Sequence, residues 1–134
     1  MARVQLALNV SDLDSAVEFY GKVFGVAPAK VRPGYANFAI DDPPLKLILF
    51  AGAGEGHGGT LNHLGVEVSS AEDVVTHGRR LADEGLATRS ESGACCYAVQ
   101  DKVWVRDPDG APWEFYTVLG DASSMGCGED SACC

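Results

Sequence analysis

The chain states one pattern twice. Gln5-Leu6-Ala7-Leu8-Asn9-Val10 returns as His63-Leu64-Gly65-Val66-Glu67-Val68, and each copy leads into a segment of helical apolar spacing that stops at a glycine, Gly25 or Gly85. In the first copy Val4, Leu6, Leu8 and Val10 alternate with Gln5, Ala7 and Asn9, the period of a half-buried strand. Ser11, with Asp14 three residues on, predicts an acidic capping box, and Ala16, Phe19, Tyr20, Val23 and Phe24 predict the apolar stripe of a helix. In the second copy Ser69 with Glu72 plays the same part, with Val74, Val75, Gly78, Leu81 and Ala82 as the stripe. A duplicated strand and helix must bury two apolar faces of the same kind, which builds a cleft between the halves.

The remainder of each copy also matches. Short strands are expected on either side of Arg32-Pro33-Gly34, and Asp42-Pro43-Pro44 breaks the chain before a strand at Leu45–Phe50. After Gly85, strands are expected near Ala87–Glu91, Lys102–Arg106 and Trp113–Val118, with Asp107-Pro108-Asp109-Gly110 as the turn before the last. Both modules read β-α-β-β-β, and the expected class is α+β, with the two βαβββ modules paired into one curved mixed sheet. The boundaries are 1–51 for module one, 52–60 for a linker and 61–120 for module two, followed by a tail at 121–134 that lacks periodicity. The glycine-rich stretch Gly52–Gly59 lacks the Lys-Ser/Thr ending of a phosphate-binding loop, so it reads as a linker.

The copies differ in length. From helix stop to last strand, module two is longer by eight residues, most of them at Gly93-Ala94-Cys95-Cys96-Tyr97-Ala98-Val99-Gln100-Asp101. The adjacent cysteines are therefore expected on an added loop, where function tends to be placed. Adjacent thiols beside a cleft suit a thiophilic ligand.

Composition narrows the partners. A net charge of −9 disfavours nucleic acid. No apolar run approaches the ~20 residues that span a bilayer. The chain enters a strand pattern at its N-terminus with no leader, so a cytoplasmic location is expected. Five cysteines, Cys95, Cys96, Cys127, Cys133 and Cys134, are an odd number and include two adjacent pairs, which argues for thiols rather than a disulfide framework. Their spacing matches no structural zinc site.

Strand parity picks out a second set of residues. Gln5 and His63 hold equivalent positions in the repeat, and Glu114 lies on the repeated last strand where module one has Lys46. All three project from the strand face opposite the helices. A neutral imidazole, an amide oxygen and a carboxylate suit a divalent first-row metal. Taken singly, each is also an ordinary polar residue of a strand, and the pattern alone leaves both readings open. Asn9 and Glu67 stand near enough in sequence to support Gln5 and His63.

These motifs carry a resemblance. The strand Gln5–Val10, then Ser11-Asp12-Leu13-Asp14 with Phe19-Tyr20 and Val23-Phe24-Gly25, and later Asp107-Pro108-Asp109-Gly110 with Trp113-Glu114-Phe115-Tyr116, resemble the vicinal oxygen chelate superfamily of glyoxalases and extradiol dioxygenases. The likeness covers residues 4–118 and implies paired modules enclosing a metal cleft. Arg3–Leu8, Pro33–Ile40, Pro43–Leu47, Leu61–Val68 and Cys95–Val105 are more narrowly similar to the organoarsenical carbon–arsenic lyases and the related cadmium-induced proteins.

That resemblance implies Gln5, His63 and Glu114 as ligands of Fe(II), with Lys46 at the superfamily's usual fourth ligand position, where an ammonium does not coordinate. It implies Cys95 and Cys96 as the catalytic pair that binds trivalent arsenic, and dioxygen as co-substrate. The implied activity is cleavage of the carbon–arsenic bond of methylarsonous acid or trivalent aryl arsenicals to arsenite, a detoxification. One chain carries both modules, so a monomer can build the cleft, and exchange of modules between two chains would build it in a homodimer. Lys102 and Tyr97 border the thiol pair as modulators. The alternative is a binding protein that sequesters As(III) or Cd(II) without turnover, helped by the cysteines of the tail. A glyoxalase-type isomerase ranks last, because it has no use for Cys95 and Cys96.

Overall fold

A computed structural model of the chain describes residues 2–52 and 60–123. Its elements are β1 (Arg3–Val10), α1 (Leu13–Phe24), β2 (Lys30–Arg32), β3 (Tyr35–Ile40), β4 (Leu45–Ala51), β5 (Leu61–Glu67), α2 (Ala71–Asp83), β6 (Arg89–Cys95), β7 (Ala98–Arg106) and β8 (Pro112–Asp121). The β-α-β-β-β order occurs twice, and the class is α+β. The chain divides into two compact units, Arg3–Leu64 and the part from Gly65 onward. Most of the expected linker (53–59) and most of the expected tail (124–134) lie outside the described residues.

In the first unit β1 runs parallel to β4, with Gln5 opposite Lys46, and β4 pairs antiparallel with β3, which pairs with β2. Alternation sends Leu6, Leu8 and Val10 to the helix side. There they meet Leu13, Ala16, Val17, Tyr20 and Phe24 of α1 over the buried cluster Phe38, Ile40, Leu47 and Leu49. Each such buried side chain contributes about 1.5–3 kcal/mol. The helix begins later than its serine suggests. Asp12 is the N-cap, and its carboxylate accepts the Ser15 N–H at 3.0 Å. A start at Leu13 carries the stripe through positions 16, 17, 20 and 24, so Phe19 and Val23, expected to be buried, are 59% and 55% exposed. Gly25 ends the helix in the left-handed region, at φ 68°.

In the second unit β7 pairs antiparallel with both β6 and β8. Val68, Val74 and Val103 form its buried cluster, with Val66 and Phe115 against them. Here too the cap is one residue later than expected: Ser70 accepts the Asp73 N–H at 3.1 Å, and Val75 is left outside the buried stripe.

The largest departure concerns residues 93–101. The added loop expected there is two longer strands. β6 runs on to Cys95, β7 starts at Ala98, and Cys95 faces Ala98 in the ladder. Cys96 and Tyr97 alone make the turn, at φ 54° and 61°. Positive φ at both central residues is what a tight type I′ hairpin turn requires. The tyrosine carbonyl is held by the Ala122 N–H at 3.0 Å, just past the end of β8. A register shift between Val99 and Gln100 breaks the even alternation of β7, which is why a period-two reading begins this strand only at Lys102.

Candidate metal and thiol sites

In the first unit β1 supplies Gln5 and β5 supplies His63, and both are 1% exposed. Their side chains meet, with Gln5 Nε2 2.9 Å from His63 Nε2. On the other side of the ring, His63 Nδ1 lies 2.8 Å from Asn62 Oδ1. Asn62 Nδ2 donates in turn to Asn9 Oδ1 at 2.9 Å. A ring proton on Nδ1 would donate to the Asn62 oxygen and leave the Nε2 lone pair to face the Gln5 amide N–H. Gln5 Oε1 is buried with no hydrogen-bond partner among the described residues. Leaving a buried acceptor unpaired costs about 1–3 kcal/mol, a cost that a cation at that oxygen removes. With the Gln5 amide turned to present Oε1 in place of its N–H, the imidazole lone pair and the amide oxygen make a donor pair that fits a divalent first-row metal. Phe50 lies against this corner, 6.3 Å from the His63 ring and 5.7 Å from Tyr35 between centroids. Asn37 Nδ2 donates to the Tyr35 hydroxyl at 2.8 Å.

In the second unit Glu114 is 1% exposed, on the opposite face of β8 from the core residue Phe115. Lys102 of β7 is 3% exposed and donates both to Glu114 Oε2 at 3.1 Å and to Cys95 Sγ at 3.3 Å. Its ammonium also lies over the rings of Trp104 (5.4 Å) and Tyr116 (5.9 Å). A buried ammonium of this kind is held only where a carboxylate and polarisable faces replace water. Trp104 is tied down by its own bond to Glu91 Oε2 at 3.3 Å.

The two cysteine sulfurs are buried and 3.7 Å apart. Gln100 Nε2 donates to the Cys95 carbonyl at 2.6 Å, and Gln100 Oε1 has no partner among the described residues. One expectation fails here. Cys96 is a free thiol, but Cys95 is disulfide-bonded, so the pair is not a dithiol in this state.

Within the first unit, then, the expected residues Gln5 and His63 come together. Within the second, Glu114, Lys102 and Cys95 share one ammonium. Among the described residues, no three His, Cys, Asp or Glu side chains form a cluster suited to a metal. The Gln5 side chain, which meets the His63 ring, offers an oxygen donor of a kind outside that set. Sequence reasoning missed Asn62 and Gln100 and underweighted Lys102. The available signal for Lys102 was a lysine on the non-helix face of a strand whose other face carries Val103 and Val105.

The family follows from comparison. Residues 3–115 match the glyoxalase/bleomycin resistance protein/dioxygenase superfamily, and the chain belongs to it. The chain is 60% identical over its whole length to a trivalent organoarsenical cleaving enzyme of Thermomonospora curvata, covering 89% of that protein. It is 54% identical over its whole length to the cadmium-induced protein CadI of Mycobacterium bovis, covering 93% of it. In fold it is similar to an extradiol ring-cleaving dioxygenase from B. fuscum, at a TM-score of 0.63 and 21% identity, over 92% of this chain and 34% of that one.

Proposed function

We propose that this protein cleaves the carbon–arsenic bond of trivalent organoarsenicals, using Fe(II) and dioxygen, to release arsenite. The observation that carries the reading is Lys102, whose ammonium holds both Cys95 Sγ and the Glu114 carboxylate and so ties the thiol pair to one member of the donor set. The 60% identity to an enzyme named for this cleavage supports the same reading. Gln5, His63 and Glu114 would hold the iron, through the unpartnered Oε1, the Nε2 lone pair and the carboxylate. Held by these residues, iron would supply dioxygen activation.

The chain's own groups supply the rest. With the Cys95 disulfide reduced, as in cytoplasm, the two thiols exchange with the two hydroxyls of methylarsonous acid. Two As–S bonds form, two As–O bonds break, and two waters leave carrying the thiol protons. The third arsenic valence keeps its carbon. Burial of both sulfurs excludes water from the anchored arsenical. One dioxygen then balances the net reaction: methylarsonous acid and dioxygen give arsenite and formaldehyde, with the carbon oxidised by four electrons and the dioxygen reduced by four. No outside reductant is required.

The test is arsenic speciation after the reduced protein is loaded with Fe(II) anaerobically, given methylarsonous acid and exposed to air. Arsenite should appear, and Cys96→Ser should abolish it. No arsenite from the wild type, or undiminished turnover in Cys96→Ser, overturns the proposal. The 54% identity to a cadmium-induced protein favours a second reading, sequestration. Stoichiometric retention of Cd(II) or As(III) with no product would select it.

A further inference from the structure

We propose that Asn62 and Asn9 are positioning residues: a relay of side-chain amides holds His63 in the tautomer protonated at Nδ1, so that Nε2 stays a lone-pair donor. The proposal rests on the reading of His63 as a metal ligand. The relay is continuous and lies within one unit, from His63 Nδ1 to Asn62 Oδ1 at 2.8 Å and from Asn62 Nδ2 to Asn9 Oδ1 at 2.9 Å. It is anchored at its outer end, where the Asn9 backbone N–H donates to the Thr60 carbonyl at 2.7 Å. Asn62 is 7% exposed and His63 1%, so water does not readily substitute for either partner.

A chain of amides has two internally consistent directions. In the one that pairs the Asn62 oxygen with Nδ1, Nδ1–H donates outward and Nε2 accepts from Gln5. If every amide reversed, the ring proton would move to Nε2 and donate to Gln5 Oε1, and the nitrogen facing Gln5 would have no lone pair to offer. The reversed direction would satisfy Gln5 Oε1. The first leaves that oxygen without a partner among the described residues. Each direction thus leaves one atom of the Gln5 amide unpaired, and the relay selects the one in which the ring offers a lone pair.

The decisive readout is the tautomer in the metal-free protein, from long-range proton–nitrogen correlation spectra of the imidazoles. His63→Gln identifies the His63 signals among the three histidines. Wild type should show His63 protonated at Nδ1. Asn62→Leu should move the proton wholly or partly to Nε2 and weaken anaerobic Fe(II) binding by about 10–100-fold, the usual effect of losing a group that orients a ligand. Asn62→Asp can only accept, and should restore both the tautomer and the affinity. If Asn62→Leu fails to fold, Asn9→Leu breaks the relay from its far end and must shift the same signals. A wild-type ring protonated at Nε2, or a tautomer unchanged in the leucine variant, overturns the proposal. Wild-type Fe(II) affinity in His63→Gln would instead overturn the metal reading on which it rests and leave the tautomer result standing.

Discussion

Each unit contains a hairpin with a two-residue turn, and the two turns differ in what they ask of the backbone. In the first unit β2 and β3 are three and six residues long and meet at Pro33-Gly34, where the positive φ of 71° falls on glycine. In the second, β6 and β7 are seven and nine residues long and meet at Cys96-Tyr97, where positive φ falls on two residues that carry a Cβ. The first turn uses the residues the geometry prefers. The second places a thiol where asparagine or glycine would be easier, a strain of about 1–2 kcal/mol per residue. The extra length of the second copy went into strands that carry Cys95 beside Lys102 and Cys96 to the tip. A conformation that local preference opposes is where function is to be sought.

The two units also differ in polarity at their buried polar corners. Gln5, His63, Asn62 and Asn9 are joined by hydrogen bonds between side-chain amides and an imidazole, whereas Lys102 and Glu114 form a buried ion pair with both side chains 2% exposed. The largest expected effect breaks that pair. Lys102→Met leaves the Glu114 carboxylate buried without its counter-charge, and urea denaturation of the metal-free protein should show a loss of about 3–5 kcal/mol. The double variant Lys102→Met/Glu114→Gln should recover most of it. A loss below about 1 kcal/mol in the single variant would mean the pair is not the charged anchor of the second unit.

A smaller effect sharpens the contrast between the turns. Tyr97→Gly should stabilise the chain by about 1 kcal/mol, while Gly34→Ala should destabilise it by a similar amount, because the same sign of φ is eased in one case and imposed on a Cβ in the other. Thermal melts of both variants in one buffer would test it, and shifts of the same sign would erase the distinction. The smallest expected difference lies in the helices. Asp12→Ala and Ser70→Ala each remove one side-chain cap and should each cost about 0.5–2 kcal/mol. A cost confined to one of them would show that the repeat is not energetically symmetric where it is structurally so.

Much of this architecture can be read along the chain. Alternation in Val4–Val10 and in Trp113–Tyr116 placed Gln5 and Glu114 on the faces opposite the apolar cores. That inference needs only the period of a strand and the aversion of leucine and valine to water. The glycines marked the helix ends nearly to the residue. The caps slipped by one in both helices because an Asp and a second Ser stand next to the expected serines, and only backbone geometry selects between neighbouring oxygens. The Cys95–Cys96 segment looked like a loop because Gly93 and the bulge at Val99/Gln100 hide the alternation of two paired strands.

The sequence by itself determined the repeat, the class and the identity of the candidate donors, since these follow from periodicity and side-chain chemistry within a few residues. Tertiary structure alone decided which side chains flank the two nitrogens of His63, which carboxylate the Lys102 ammonium faces, and that Cys95 shares that ammonium. Those outcomes depend on hydrogen bonds between residues 53 and 58 positions apart, such as Asn9 with Asn62 and Gln5 with His63, or on the ladders that join β7 to β6 and to β8. No local pattern encodes such partners, because a buried polar group takes whichever complementary group folding brings within reach.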